Sequence, residues 1–216
     1  MNIAIIGGGN VGGALGGSWA RAGHRVFYGL REPLGEKARA LVVAGGSGVS
    51  AHGVADAARA GDVVVLATPW NATVEAVAAA GDLRGKTVID CTNPLKFTPG
   101  VGLELAFGFS DSGAETVARA VPGANVVKAF NTYGWENFAN AKYPNAAGLR
   151  PVMFVAGDDA AAKTTVSQLA TDIGFAPFDA GGLSAARELE PLALLWIRAA
   201  MSGARNPHFT WARLAR

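Results

Sequence analysis

A doubly wound α/β fold on a mostly parallel sheet is predicted from three observations. Short apolar runs recur along the 216 residues, helical patterns alternate with them, and the first run leads straight into a glycine cluster. That run, Ile3 to Ile6, suits a strand buried on both faces. Gly7, Gly8, Gly9, Asn10, Val11 and Gly12 follow and fit G-x-G-x-x-G. Gly7 permits a tight turn, Gly9 lets backbone amides approach a pyrophosphate, and Gly12 lets the next helix pack closely on the strand. Phosphates would then sit on a helix N-terminus. The helical pattern from Ala14 to Ala22 completes the strand, loop and helix context of a Rossmann dinucleotide site.

Half the residues are hydrophobic and 17% are charged, which argues against disorder. The length suits a dinucleotide-binding Rossmann domain, residues 1–150, with a small C-terminal part, residues 151–216, that completes the cleft without folding independently. A net charge of +2 gives no reason to expect a nucleic acid, and Arg205, Arg213 and Arg216 read as a solvated tail. Cys91 is the only cysteine, which excludes an intrachain disulfide and a cysteine-rich metal site and suits a reducing compartment. Met1 leads directly into the first strand without a signal-peptide pattern. Pro191 to Met201 is too short for a bilayer and carries Arg198, so a cytoplasmic protein without a membrane partner is expected.

The second strand, Arg25 to Tyr28, ends in a turn where Arg31 precedes Glu32, with Lys37 on the following helix, Leu34 to Ala44. An acid near this point holds the ribose 2′-hydroxyl of NAD, whereas an Arg accommodates a 2′-phosphate, so NADP is favoured. The alternative is an exposed Arg neutralised by Glu32. Gly48 to Ser50 reads as a short strand and Val54 to Ala60 as a helix. Asp62 to Ala67 is a buried strand whose exit, Thr68-Pro69-Trp70-Asn71, faces the ligand edge of a parallel sheet. Asn71 is expected to cap a helix from Thr73 to Ala80, and Trp70 reads either as a ligand contact or as packing.

Lys86 to Asp90 is the next strand, and Cys91 at its exit reads as a small buried hydrophobe rather than a nucleophile. Leu95 to Ser110 reads as a long loop rich in Gly, Pro and apolar residues: a lid, a pocket wall or a patch between subunits. A helix, Gly113 to Ala120, precedes the strand Asn125 to Phe130. Lys128 on it reads as an exposed strand-end support, with a general acid as the alternative. Asn131 and Thr132 lie where amide and hydroxyl groups orient a nicotinamide, and Tyr133 and Trp135 are placed to wall an aromatic ligand. Beyond Pro151 come a strand, Val152 to Ala156, a helix from Ala160 to Thr171 capped by Gly157 to Asp159, and a strand, Gly174 to Phe178. The turn Asp179 to Leu183 then opens a long helix, Ser184 to Met201. His24, His52 and His208 read as surface or turn residues.

Gly7 to Gly12, Thr68-Pro69-Trp70, Asn93-Pro94, Val126 to Asn131, Val155 to Asp159 and Asp179 to Leu183 occur together in one order. Over nearly its whole length the chain thereby resembles the deazaflavin (coenzyme F-420)-dependent NADP oxidoreductases. Val126 to Asn131 and the glycine-rich turn before the last helix are also similar to the cytosolic NADPH domain of the six-transmembrane metalloreductases. The resemblance implies a cleft in which the nicotinamide stacks on a deazaflavin or flavin ring, with direct hydride transfer. Such chemistry asks for orientation and a dry pocket more than for an acid or base. Members that hold the 2′-phosphate read Gly-Ser-Arg after the second strand, and Leu30 stands here in place of the Ser.

The expected function is therefore an NADP(H)-dependent oxidoreductase acting on a small-molecule redox acceptor, either the deazaflavin coenzyme, FMN or FAD. Gly7, Gly9, Asn10, Val11 and Gly12 are assigned to the pyrophosphate, and Arg31 and Lys37 to the 2′-phosphate. Thr68 and Pro69 take the ribose edge, with Asn93, Asn131 and Thr132 toward the nicotinamide. Trp70, Phe97, Trp135 and Leu183 are assigned to the acceptor pocket. A reductase of a small carbonyl or imine and a non-catalytic NADP(H) sensor are the alternatives. A homodimer is expected from the apolar residues between Phe97 and Phe109 and on the Trp196 helix.

Overall fold

The computed structural model describes residues 1–144, 146–203 and 205–214. Within them the apolar runs become strands because both faces of one sheet are covered. In β1 (Asn2–Ile6), Ile3 and Ile5 enter one buried cluster while Ala4 and Ile6 enter another. Val63 and Val65 of β4 (Val63–Leu66) divide from Val64 and Leu66 in the same way. A strand lined on both sides by hydrophobic layers has no polar face, hence the uninterrupted sequence pattern.

The remaining strands are β2 (Arg25–Gly29), β3 (Val49–His52), β5 (Thr87–Asp90), β8 (Asn125–Lys128), β9 (Val152–Gly157) and β10 (Ala176–Gly181). They join β1 and β4 in an eight-stranded sheet of order β10-β9-β8-β5-β4-β1-β2-β3. Every neighbouring pair is parallel except β8 with β9. The doubly wound, mostly parallel α/β fold read from the sequence is thus the fold observed. Helices α1 (Asn10–Arg21), α2 (Glu36–Gly45) and α6 (Ala160–Asp172) contribute Leu15, Trp19, Leu41, Val166 and Leu169 to one layer. Helices α3 (Val54–Ala60), α4 (Trp70–Ala79), α5 (Gly113–Ala120) and α7 (Ala186–Met201) contribute Ala57, Val77, Val117 and Ala186 to the other. Among the described residues no helix is long and apolar enough to cross a membrane.

Several local expectations are corrected. The segment from Leu95 to Ser110 contains an antiparallel hairpin, β6 (Leu95–Thr98) and β7 (Gly102–Leu105), whose turn uses left-handed backbone at Gly100. α4 begins at Trp70, with Pro69 at the capping position, so Asn71 lies inside the first turn and caps nothing. β10 continues through Asp179 to Gly181, where a turn was expected. His24 is 9% exposed, and its Nε2 lies 3.0 Å from Asp172 Oδ2, which makes it a buried tie between β2 and α6 rather than a surface group. The end of the chain is not a free tail: the Arg213 guanidinium lies over the Phe178 ring at 4.8 Å and the Val152 amide donates to the Trp211 carbonyl. Arg216 falls outside the described residues.

The largest correction concerns Lys128, which is fully buried. Its Nζ donates to Asp90 Oδ2 at 2.8 Å, to Glu190 Oε1 at 2.7 Å and to the Thr92 carbonyl at 2.6 Å. Parallel pairing sets Asp90 directly beside Lys128, and α7 brings Glu190 across. Glu190 also accepts the Gly113 and Ala114 amides at the start of α5. Burial alone would lower the Lys128 pKa, but the pull of both carboxylates holds it above the ordinary lysine value. Taking one partner from such a buried group typically costs about 3–5 kcal/mol, so β5, β8, α5 and α7 are bound to one another through this ammonium.

Tyr28 provides a pH-dependent check on the packing of α1. Its ring is 1% exposed beneath α1, and burial pushes its hydroxyl up to about 12. The unfolded chain loses this proton first, so the stability concerned is full below about pH 10 and is lost as pH rises toward about 12. Tyr28→Phe is expected to remove about 2 kcal/mol of that alkaline loss, read from urea midpoints across the same range. An unchanged alkaline slope would show that Tyr28 does not titrate with unfolding.

Candidate functional site

The turns after β1, β4, β5 and β8 meet at one end of the sheet, where parallel strands present their C-termini. After β1, Gly7 adopts φ +112°, and a Cβ there would lie 2.6 Å from the Ala67 carbonyl oxygen. At Gly12 a Cβ would collide with the Gly7 carbonyl oxygen. The first contact sets the exit of β1 against that of β4, and the second brings α1 down onto β1. Gly9 differs, since a Cβ there would meet nothing within 4 Å. It occupies the capping position of α1 and offers no side-chain acceptor. The first amides of the helix, those of Asn10, Val11 and Gly12, are therefore left for an anion.

The turn after β2 closes over this loop. A Cβ at Gly8 would lie 2.6 Å from Leu41 Cδ1, 3.0 Å from Leu30 Cδ2 and 3.8 Å from Lys37 Cε. Leu30 thus walls the glycine loop by packing, and the stem of Lys37 reaches the same place. Arg31 and Lys37 are exposed, and among the described residues neither forms an ion pair. Glu32 does not neutralise Arg31. Two free cations beside an uncapped helix start fit a dinucleotide that carries an extra phosphate.

Next to this loop lies a cleft of about 610 Å³ lined by Thr68, Pro69, Trp70, Asn71, Asn93, Leu95, Lys96 and Phe97. Trp70 both lines the cleft and packs: its ring meets Phe107 edge-on at 5.7 Å, and Cζ3 approaches Gly113. Phe97, on β6, is 74% exposed at the rim. The Thr68 hydroxyl is held 3.0 Å from that of Thr73. Asn131 Nδ2 donates to Asn93 Oδ1 at 3.0 Å and to the Leu189 carbonyl at 3.1 Å, and Asn93 Nδ2 donates to the Asn131 carbonyl at 3.2 Å. Asn131 Oδ1 is buried and has no hydrogen-bond partner among the described residues. Leaving a buried amide oxygen unpaired costs about 1–3 kcal/mol, and a carboxamide donor would satisfy it. Thr132 is buried beside it in the chain.

Phe130 delivers Asn131 to this position through a left-handed backbone of φ +63°, uncommon for a bulky residue. Its buried ring is anchored edge-on by Trp19 at 5.4 Å. Two assignments do not converge on the cleft. Trp135, 41% exposed, lies in a short turn beyond Gly134, outside the cleft lining. Leu183 is buried in the core cluster that holds Val126 and Ala186. Because β9 runs antiparallel to β8, the turn after β10 lies at the opposite end of the sheet from the cleft, so Leu183 supplies no pocket wall. Tyr133 also leaves the site, packing on Phe175 at 4.6 Å and sharing a hydrogen bond with the Tyr143 hydroxyl.

Lys128 has committed its three donors to Asp90, Glu190 and Thr92, so the general-acid alternative is withdrawn. Cys91 is buried as expected, and burial pushes its thiol well above the ordinary range. Sequence reasoning missed Asp90 and Glu190, both behind the cleft floor. Their only sequence trace was an Asp closing one central strand and a Lys closing the next. A second cavity, about 520 Å³, lies between the ends of α1 and α6 near Arg21, Tyr143 and Asp172 and includes none of the predicted site residues.

With this geometry in place, comparison with known proteins gives a consistent result. Residues 2–94 match the family model described as NADP oxidoreductase, coenzyme F420-dependent. The F420-dependent NADP reductase of Methanothermobacter thermautotrophicus is 33% identical over 210 residues, covering 91% of this chain and 88% of that protein. Rat metalloreductase STEAP3 is 38% identical over 119 residues, 54% of this chain but 22% of that protein. A solved structure from Arthrobacter sp. FB24, assigned as an F420-dependent NADP reductase, is 34% identical with a TM-score of 0.87, covering 99% of this chain and 100% of that one. By that near full-length likeness, this chain belongs to the coenzyme F420-dependent NADP oxidoreductase family, and its chemistry is NADP-dependent oxidoreduction.

Proposed function

We propose that this protein catalyses hydride exchange between NADP(H) and a deazaflavin or flavin held in the cleft beside Trp70 and Phe97. The observation that carries this reading is the unpartnered Asn131 amide oxygen beyond the end of β8, on a side chain bonded to Asn93 of the cleft lining. When bound, the nicotinamide supplies the hydride. The residues of the chain hold and orient. The amides of Gly9, Asn10, Val11 and Gly12 would receive the pyrophosphate, with Gly7 shaping the loop, and Arg31 and Lys37 the 2′-phosphate. Thr68 and Pro69 would flank the ribose, while Asn93, Asn131 and Thr132 fix the carboxamide. Residues 1–150 would bind the cofactor, and residues 151–216 would brace that part as one folding unit. A reducing cytoplasm suits the single thiol.

Three tests follow from these assignments. Arg31→Ala is expected to weaken NADPH binding by about 10-fold or more, the worth of one charge-assisted hydrogen bond, while NADH binding stays the same. Equal effects on both cofactors, measured by fluorescence titration, would remove Arg31 from the 2′-phosphate site. Mixing the protein and NADPH with the deazaflavin coenzyme, FMN or FAD in turn identifies the acceptor by loss of nicotinamide absorbance. Phe97→Ala is expected to lower kcat/KM for that acceptor and leave the KM for NADPH unchanged. NADPH binding without turnover on any acceptor would favour a non-catalytic sensor.

Val101 and Phe109 are 66% and 83% exposed on and beside the hairpin, and a second copy of the chain is proposed to cover them. Phe109→Asp is then expected to convert a dimer to a monomer in sedimentation velocity. A wild-type protein that sediments as a monomer at all concentrations overturns this assembly.

A further inference from the structure

The cluster of Lys128, Asp90 and Glu190 carries one ammonium and two carboxylates, a net charge of −1 in a fully buried place. It lies directly behind the cleft floor at two points. Lys128 Nζ holds the carbonyl of Thr92, whose neighbour Asn93 lines the cleft. Asn131 donates to the carbonyl of Leu189, whose neighbour is Glu190. Both carboxylates are held by several donors: Asp90 Oδ1 accepts the Thr92 amide and hydroxyl, and Glu190 accepts the amides of Gly113 and Ala114 as well as Lys128, whose pull works against the burial that pushes its carboxyl above the ordinary range. Buried charge of this kind is poorly screened by salt.

NADP+ and NADPH differ at this end of the molecule by one positive charge on the nicotinamide ring, and their phosphates and adenosine are the same. A fixed negative charge behind the ring therefore acts on the oxidised form alone. We propose that the Lys128, Asp90 and Glu190 cluster is a specificity element that discriminates between the redox states of the cofactor, binding NADP+ more tightly than an uncharged floor would. By linkage, tighter binding of the oxidised form makes bound NADPH the stronger hydride donor, by about 30 mV for each tenfold in the affinity ratio. The inference rests on the proposed placement of the nicotinamide beside Asn93 and Asn131.

The test uses Glu190→Gln, which keeps the shape and an acceptor oxygen while removing one charge. Dissociation constants for NADP+, NADPH and the ringless fragment 2′-phospho-ADP-ribose are measured by calorimetry at about pH 8, well above the ordinary carboxylate range. The expected result is a weakening of NADP+ by about five- to tenfold, the effect of a unit charge acting through protein of effective dielectric about 20, with the other two unchanged. Asp90→Asn, which retains the oxygen facing Thr92, is expected to move the same ratio in the same direction and serves where Glu190→Gln does not fold. An unchanged ratio of NADP+ to NADPH affinity in a folded variant overturns the inference while leaving the placement standing. Equal binding of NADP+, NADPH and the fragment by wild-type protein shows that the ring does not reach the amide pair, and both fall together.

Discussion

One buried ammonium fixes the relation between the two central strand exits. Lys128 ends β8 where Asp90 ends β5, and the parallel register makes them neighbours. Without a cation, Asp90 and Glu190 would repel each other in a place that water does not reach. With it, the exit of β5 and helix α7 are held to one nitrogen, and α5 joins them because Glu190 caps its first amides. The Asn93 and Asn131 amides each follow three residues after these anchored positions, Asp90 and Lys128. Their mutual hydrogen bonds at 3.0 and 3.2 Å are therefore a downstream effect of an ion cluster that never faces the cleft.

The reversal of strand direction at β9 decides what the C-terminal part does. Had β9 continued the parallel pattern, the glycine-rich turn after β10 would have joined the ligand end. Antiparallel pairing sends it to the far end, where Asp158 accepts the Leu183 amide at 2.8 Å. From there α7 returns along the sheet toward the cleft, delivering Glu190 on the way and carrying Trp196 against Gly134. The last residues then fold back, with Phe209 stacked on Trp196 at 5.1 Å. This part supports the site from behind instead of walling it.

What was legible in the sequence was local. The glycine motif, the runs of β1 and β4 and the cap of α6 at Asp159 are each specified by residues within a turn or two of one another. The positions of Arg31 and Lys37 beyond β2 were legible for the same reason, being tied to the end of one strand. The misreadings are matters of distance along the chain. Lys128 looked like a surface group because its partners lie 38 and 62 residues away. Leu183 was misplaced because strand direction is not written in any run of apolar residues. The hairpin was read as a loop because its alternation, Leu95 and Phe97 against Leu103 and Leu105, is short and half-exposed.

The same cluster bears on the kind of chemistry the cleft can support. Reduction of an imine or carbonyl requires a proton for the substrate nitrogen or oxygen as well as a hydride. Lys128, behind the floor, has no donor to spare, the Cys91 thiol is enclosed and held in its neutral form, and Lys96 on the hairpin rim lies 4.0 Å from Glu104. Apart from the Lys96 ammonium, the groups that line the cleft are two amides, one hydroxyl, two aromatic rings and the apolar Pro69 and Leu95. Rings and amides of this kind orient flat partners, and the proposed ring-to-ring hydride exchange asks for no more than that. Burying the Lys128 cluster thus leaves the Asn93 and Asn131 amides as the polar part of the floor, beside rings suited to stacking.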